Sequence, residues 1–383
     1  IQGVGGCINP YPGGCFIAAL DAKTGREVWR FNTIARPGQP GGDTWNGAPV
    51  DERFGGSVWL SGSYDPDLDL LYFGIGQTYK TATLIHGKTI ADRAAGLYTD
   101  STVALKPDTG SLAWHYQHLP GDVWDLDWGY ERTLATIRHD GKDRRIVTSA
   151  GKLGIFDALD ARTGDYLYSI DVGLQNLVQA IDPKTGAKTL NPAAMPEVGV
   201  DKYICPSIFG ARSWPATSYN ARSGVMFVPL NETCMNWSWQ PGGVFDVFPR
   251  PVASGKDGLV GRTQAIDLKT GRTLWTVRER AGHVSALLAT AGGLVFEGTK
   301  DRWFRARDDR NGKILWQVRL DASPAAFPIT YEAGGEQYVA VTTGGGNPLE
   351  QNIGFLTSEI SSPTSGGGTT LWVFKLSGSA SKH

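Results

Sequence analysis

The stretch Ala19-Leu20-Asp21-Ala22-Lys23-Thr24-Gly25-Arg26-Glu27-Val28-Trp29 decides how this chain folds. Apolar residues alternate up to Asp21, a Thr-Gly pair supplies the positive φ of a hairpin turn, and alternation then resumes to a closing aromatic. This is a β-hairpin with a broad ring at its end. The phrase returns as Ala104 to Trp114, Ala158 to Tyr168, Ala265 to Trp275 and Ala306 to Trp316, each with Thr-Gly or Asn-Gly at the same offset and an aromatic four residues after the glycine. A ring at a fixed place packs against the neighbouring sheet and docks one unit on the next. Gly25 and Gly110 are 85 residues apart and Gly271 and Gly312 are 41 apart, with a weaker unit at Tyr64 to Tyr72 filling the first gap. The period, about 40 residues, suits the four-stranded blades of a β-propeller. The length then allows about six or seven blades.

Composition agrees. The 383 residues include 50 Gly, 21 Pro, 13 Trp, 13 Tyr and 14 Phe, which describes an all-β chain of short strands and tight turns rather than long helices. With 37 basic and 38 acidic residues the formal charge is -1, so no nucleic-acid footprint is present. The longest uncharged run, Ile1 to Leu20, is broken by Gly and Pro, and the apolar run Val284 to Phe296 is too short to span a bilayer, so no transmembrane segment is expected. The start at Ile1, without Met or a charged and apolar leader, reads as a processed or partial product. The interval from Gly164 to Gly271 exceeds the period and holds an extra Asp182-Pro183-Lys184-Thr185-Gly186 turn, so insertions are expected near residues 170–260 of a single propeller domain, 1–383.

The four cysteines form two local pairs, Cys7 with Cys15 and Cys205 with Cys234, without the spacing of a zinc site. Disulfides are the better reading, and they imply an oxidising compartment such as a periplasm. Phosphate-binding glycine motifs and a Gly-x-Ser-x-Gly elbow are missing, and the six His are scattered, which disfavours nucleotide binding, a serine hydrolase and a histidine metal site.

The repeat, together with Gly41-Gly42-Asp43-Thr44-Trp45, Ser57-Val58-Trp59, Tyr64-Asp65-Pro66, Gly121-Asp122-Val123-Trp124-Asp125, Gly151-Lys152 and the Cys205-Pro206-Ser207 to Cys234-Met235 pair, resembles the pyrroloquinoline quinone (PQQ) dependent alcohol dehydrogenases. The resemblance runs the length of the chain. It implies an eight-bladed quinoprotein propeller with the cofactor at its axis, of which this chain corresponds to roughly the last two thirds, the N-terminal blades being absent. It also implies oxidation of an alcohol to an aldehyde or ketone by hydride transfer to metal-bound PQQ. Electrons would pass to a cytochrome c or a membrane quinone in the periplasm. The expected partners are thus a small alcohol and that acceptor, with homodimerisation as a further expectation.

Carried over position by position, the resemblance makes Asp125 the catalytic carboxylate that draws the hydroxyl proton and Lys152 the cation beside the quinone oxygens. Trp59 matches the ring that stacks on the cofactor, and Ser57 the hydroxyl that bonds a cofactor carboxylate. Gly5, Gly6 and Cys7 match a small-residue turn at its edge, and Ser213 and Trp214 match positions at the quinone. Singly, each has a structural alternative: Asp125 as a turn cap, Trp59 as one more docking ring, Lys152 as a solvated hairpin residue.

The metal position departs from the family. There a Glu, an Asn and the catalytic Asp hold Ca²⁺, as a hard cation requires. Here Ile8 stands at the Glu position and Gln77 at the Asn position, while Asp127 matches the extra carboxylate of lanthanide-using members. Residues at i and i+2 share a face of a strand, so Asp125 and Asp127 can reach one ion, and the expected cofactors are PQQ with Ca²⁺ or a lanthanide. The alternative for Asp127 is a bond to a backbone turn. A second departure is that the adjacent-cysteine ring and the Arg covering the other face of the quinone lie, in the family, before the point where this chain begins. A non-enzymatic propeller of PQQ-like repeats, acting as an interaction scaffold, is the alternative function. Convergence of Trp59, Asp125 and Lys152 around one point separates the two.

Overall fold

The computed structural model describes residues 1–7, 12–85, 93–240, 244–252, 257–360 and 369–375. Ile8 therefore lies outside the described residues. The chain divides into two compact units, Ile1–Trp214 with Thr233–Arg250, and Pro215–Glu232 with Pro251–His383.

In the first unit, antiparallel sheets follow one another along the chain. The strands β1 (Gln2–Gly3), β2 (Phe16–Leu20) and β3 (Glu27–Asn32) form the first. The second joins β4 (Ser63–Asp65), β5 (Leu70–Gly74), β6 (Ser101–Leu105) and β7 (Leu112–Gln117). The third joins β8 (Thr133–His139), β9 (Lys142–Ala150), β10 (Ile155–Asp160) and β11 (Tyr166–Asp171). The weak unit at Tyr64 to Tyr72 is thus a real hairpin, β4 to β5. Next along the chain come a hairpin of β12 (Val178–Ile181) and β13 (Lys188–Leu190) and a sheet of Lys202–Ile204, Thr233–Gln240 and Val244–Pro251.

The second unit holds a four-stranded sheet of Ser218–Asn220, Val225–Asn231, Gly261–Asp267 and Arg272–Glu279. A second four-stranded sheet, of Leu288–Ala289, Leu294–Gly298, Trp303–Asp308 and Ile314–Arg319, follows, and then a three-stranded one of Ile329–Ala333, Glu336–Thr343 and Thr370–Lys375. A helix, Pro348–Leu356, starts at Asn347, whose side chain accepts the Glu350 N–H. Among the described residues no helix is long and apolar enough to cross a membrane.

The repeated phrase works as its spacing predicts. Between β2 and β3, Asp21 Oδ1 accepts the Lys23 N–H at 3.1 Å and the Thr24 N–H and hydroxyl at 2.8 Å each. Only the glycine of the Thr-Gly pair takes positive φ, 71° at Gly25; the threonine serves the aspartate instead. The closing rings dock on the next unit's turn. Trp29 donates to Pro107 O at 2.7 Å, Trp114 to Ala161 O at 3.2 Å and, in the second unit, Trp275 to Asp309 O at 2.9 Å. A Cβ at Gly110, φ 68°, would lie 2.3 Å from the Trp29 ring, so the indole lies directly on the turn. Both expected disulfides, Cys7–Cys15 and Cys205–Cys234, are formed.

Candidate active site

Four connections of the first unit carry six of the predicted residues: β3 to β4 (Ser57, Trp59), β5 to β6 (Gln77), β7 to β8 (Asp125, Asp127) and β9 to β10 (Lys152). The third shows how a site is built from a loop. Asp122 accepts the Trp124 N–H at 2.8 Å and the Leu126 N–H at 2.5 Å, curling the segment. Trp124, Leu126 and Trp128 are then wholly buried among Leu119, Leu153, Ile204 and Trp237, which turns the alternate residues Asp125 and Asp127 the other way. The segment is not a strand, yet the shared face expected of residues i and i+2 is realised by this alternation of apolar anchors.

Both aspartates meet Lys152. Its Nζ donates to Asp125 Oδ1 at 2.7 Å and to Asp125 O at 2.9 Å, and lies 2.7 Å from Asp127 Oδ2 as an ion pair without hydrogen-bond geometry. Asp125 has φ 65°, a left-handed backbone that presents its carbonyl and its carboxylate to one ammonium. Lys152 is held from its other end, since its N–H donates to Asp127 O at 3.0 Å and its carbonyl accepts the Ala211 N–H at 2.8 Å. Gln77 completes the group: its N–H donates to Asp127 Oδ1 at 2.8 Å and its Nε2 to Asp125 Oδ1 at 3.1 Å. A Cβ at Gly76 would stand 2.4 Å from Asp127 Oδ1, so only glycine there lets the carboxylate in.

Trp59 lies beside this cluster, half-buried, with Lys152 Nζ 5.3 Å from its ring centroid and Tyr130 edge-on at 5.6 Å. Ser57, two residues earlier, is buried; its Oγ accepts the Gly6 N–H at 3.0 Å and lies 3.0 Å from the Tyr79 hydroxyl. The turn of Gly5, Gly6 and Cys7 runs along this segment, Cys7 O accepting the Gly55 N–H at 3.1 Å and Val4 O the Val58 N–H at 3.0 Å. Ser213 is buried two residues after Ala211, whose N–H donates to Lys152 O, and Trp214 beside it is half-buried. Sequence reasoning missed Tyr79, Tyr130 and Gly76. Tyr79 and Gly76 flank Gln77, and their proximity to it was the available signal.

The electrostatics follow from burial. Burial pushes the Asp125 carboxyl well above the usual carboxylate range, with Lys152 opposing and Asp127 adding to the rise. Asp127 is buried as well, but Lys152 and the Gln77 N–H outweigh that and hold it below the ordinary value. Burial works against the charge on Lys152, yet Asp125 and Asp127 hold its ammonium well above the ordinary value. Two carboxyl groups face one ammonium, and Gln77 Oε1 is buried without a hydrogen-bond partner. Among the described residues no three His, Cys, Asp or Glu side chains converge. A cation here would rest on the oxygens of Asp125, Asp127 and Gln77, a hard-donor set that fits Ca²⁺ or a lanthanide in chemistry.

Comparison with known proteins shows what this chain resembles in sequence and fold. The chain matches the family described as "PQQ: Glucose/ethanol/alcohol dehydrogenase, beta-propeller domain" over residues 9–173 and 256–339. It is 33% identical to a quinohemoprotein alcohol dehydrogenase, ADH IIB, of Pseudomonas putida over 86% of this chain and 50% of that protein. It is 30% identical to a quinoprotein ethanol dehydrogenase of Pseudomonas putida over 94% of this chain and 63% of that protein. The chain thus spans about half to two thirds of the length of these relatives. A europium-containing methanol dehydrogenase superposes with TM-score 0.81 at 27% identity, covering 94% of this chain and 69% of the other. With its Trp-docked hairpins, its four-stranded sheets and the residues gathered on Lys152, the chain belongs to the PQQ-dependent alcohol dehydrogenase family and has its β-propeller fold.

Proposed function

We propose that this chain carries the quinone site of an alcohol dehydrogenase that oxidises an alcohol to an aldehyde or ketone, with PQQ and a hard cation, Ca²⁺ or a lanthanide, as cofactors. The observation that carries the reading is the convergence of Asp125, Asp127, Gln77 and Trp59 on the buried Lys152 ammonium. A scaffold has no use for two buried carboxylates sharing one ammonium beside an orphaned amide oxygen, since such a cluster costs folding free energy.

Bound PQQ supplies the acceptor for the hydride leaving the alcohol carbon, and the bound cation supplies positive charge that polarises oxygens around it. The chain's residues do the rest. Asp125 takes the hydroxyl proton at its carboxylate, and burial strengthens it as a base. Lys152, kept charged by both aspartates, holds Asp125 in place and offers N–H donors where negative charge builds. Asp127 and the Gln77 amide oxygen, with Asp125, would hold the cation. Trp59 offers its indole face to a flat ring, and Tyr130 fixes its tilt. The turn of Gly5 to Cys7 and the residues Ser57, Ser213 and Trp214 would complete the cofactor's surroundings.

Two disulfides support an extracytoplasmic compartment, a periplasm, and the family resemblance implies a cytochrome c or a membrane quinone as electron acceptor. The test is direct: the purified chain is mixed with PQQ and either Ca²⁺ or a lanthanide, and quinone absorption, bound metal and alcohol-dependent dye reduction are recorded. Retention of both cofactors with turnover is expected. A chain that retains no quinone under any metal condition would refute the reading.

A further inference from the structure

We infer that the Tyr79 hydroxyl is a further binding group of this site and donates a hydrogen bond to a carboxylate oxygen of the bound quinone cofactor; the inference rests on the quinone reading above. The argument is a count of donors. Ser57 Oγ accepts the Gly6 N–H at 3.0 Å and shares a 3.0 Å contact with Tyr79 Oη. Two hydroxyls bring two hydrogens, and only one can lie in the bond between them. The other neighbour of Ser57 Oγ is Cys15 Sγ at 3.8 Å, a disulfide sulfur that has no hydrogen to give and accepts poorly. One O–H is left without an oxygen acceptor.

Burial favours the tyrosine as the outward donor, since Ser57 is fully buried and Tyr79 is half-buried. With the Gly6 N–H filling an acceptor position on Ser57 Oγ, Ser57 donates to Tyr79 Oη and the tyrosine passes the donor outward. The hydrogen bond that the family resemblance assigns to Ser57 is thereby relayed one hydroxyl further. A charged acceptor gains most from such a donor. Tyr79 is also in the right neighbourhood. Ser57 is two residues from Trp59, and Gln77, two residues before Tyr79, bonds both aspartates.

The test uses the full chain with its metal, titrated with PQQ and with the PQQ trimethyl ester, and follows quenching of tryptophan fluorescence. In Tyr79→Phe the dissociation constant for PQQ should rise about tenfold, while that for the ester should hardly change. Tyr79→His, which keeps a ring N–H, should recover part of the loss and stands in should the Phe variant fail to fold by circular dichroism. Equal PQQ affinity in wild type and Tyr79→Phe, or equal affinity of the wild type for acid and ester, overturns the inference. A wild type that binds neither compound overturns the quinone reading itself, a different outcome.

Discussion

Two buried charge clusters stand in the first unit, and they are finished differently. Around Asp157 the carboxylate and the imidazole are fully satisfied: Oδ2 takes His118 Nδ1 and Lys188 Nζ at 2.7 Å each, Oδ1 takes the Ser169 hydroxyl at 2.6 Å, and His118 Nε2 meets Thr102 Oγ1 at 2.8 Å. One carboxylate balances one ammonium, and burial drives His118 down to about 4, so the ring is neutral at neutral pH. Around Lys152 the count does not close, because two carboxylates share one ammonium and Gln77 Oε1 has no partner. A closed network holds a fold together, here by stacking His118 on Trp128 at 5.0 Å and placing Lys188 of the inserted hairpin 5.6 Å from the same indole. An open one leaves charge and acceptors for a ligand.

Asp125→Asn is the strongest attempt to break the comparison. Alcohol oxidation with PQQ and metal should fall by roughly 10² to 10⁴-fold with the thermal transition little changed, and wild-type turnover would remove Asp125 as the base. The mirror experiment in the closed cluster, Asp157→Asn, leaves Lys188 buried without its counter-ion and should cost about 3–5 kcal/mol in urea unfolding. A loss below about 1 kcal/mol would mean that the closed network is not structural.

Acidity probes the closed cluster from another side. His118 has an ordinary pKa of 6.5 and a folded value near 4, lowered by burial, so below pH 6.5 the unfolded chain binds a proton that the folded chain refuses. The stability this provides is whole above pH 6.5 and is lost as pH falls toward 4, amounting to about 3 kcal/mol. Unfolding curves of wild type and His118→Gln between pH 7 and 4.5 should converge, and parallel curves would exclude His118 as the source. The smallest expected effect sharpens the open cluster. Asp127→Ala should weaken lanthanide binding by about tenfold in a terbium luminescence titration and favour Ca²⁺, through loss of one negative ligand. An unaltered metal profile would take Asp127 out of the ligand set.

Much of the fold was legible because it is periodic. Ala19 to Trp29 and its copies encode a hairpin and a docking ring through local alternation and a glycine turn, and both appear where the spacing puts them. The Tyr64 to Tyr72 hairpin was readable as a weaker unit filling a gap in that period. At the site, the residue types at Trp59, Asp125 and Lys152 were readable through the family resemblance. Tyr130 was not, since nothing in its local pattern distinguishes it from a core ring, and Tyr79 had only its closeness to Gln77 as a signal.

Taken alone, the order of residues determined the hairpins, the sheet sequence and the two cysteine pairings, because turn chemistry, alternation and short loop closure act over a few neighbours. Tertiary structure decided which charges meet. Asp125, Lys152 and Gln77 lie on three different connections, and whether their side chains share one ammonium or disperse into water depends on how Trp124, Leu126 and Trp128 bury and on the glycine at 76 that lets a carboxylate approach. Coulombic energy and desolvation depend on distance and enclosure, which only packing defines.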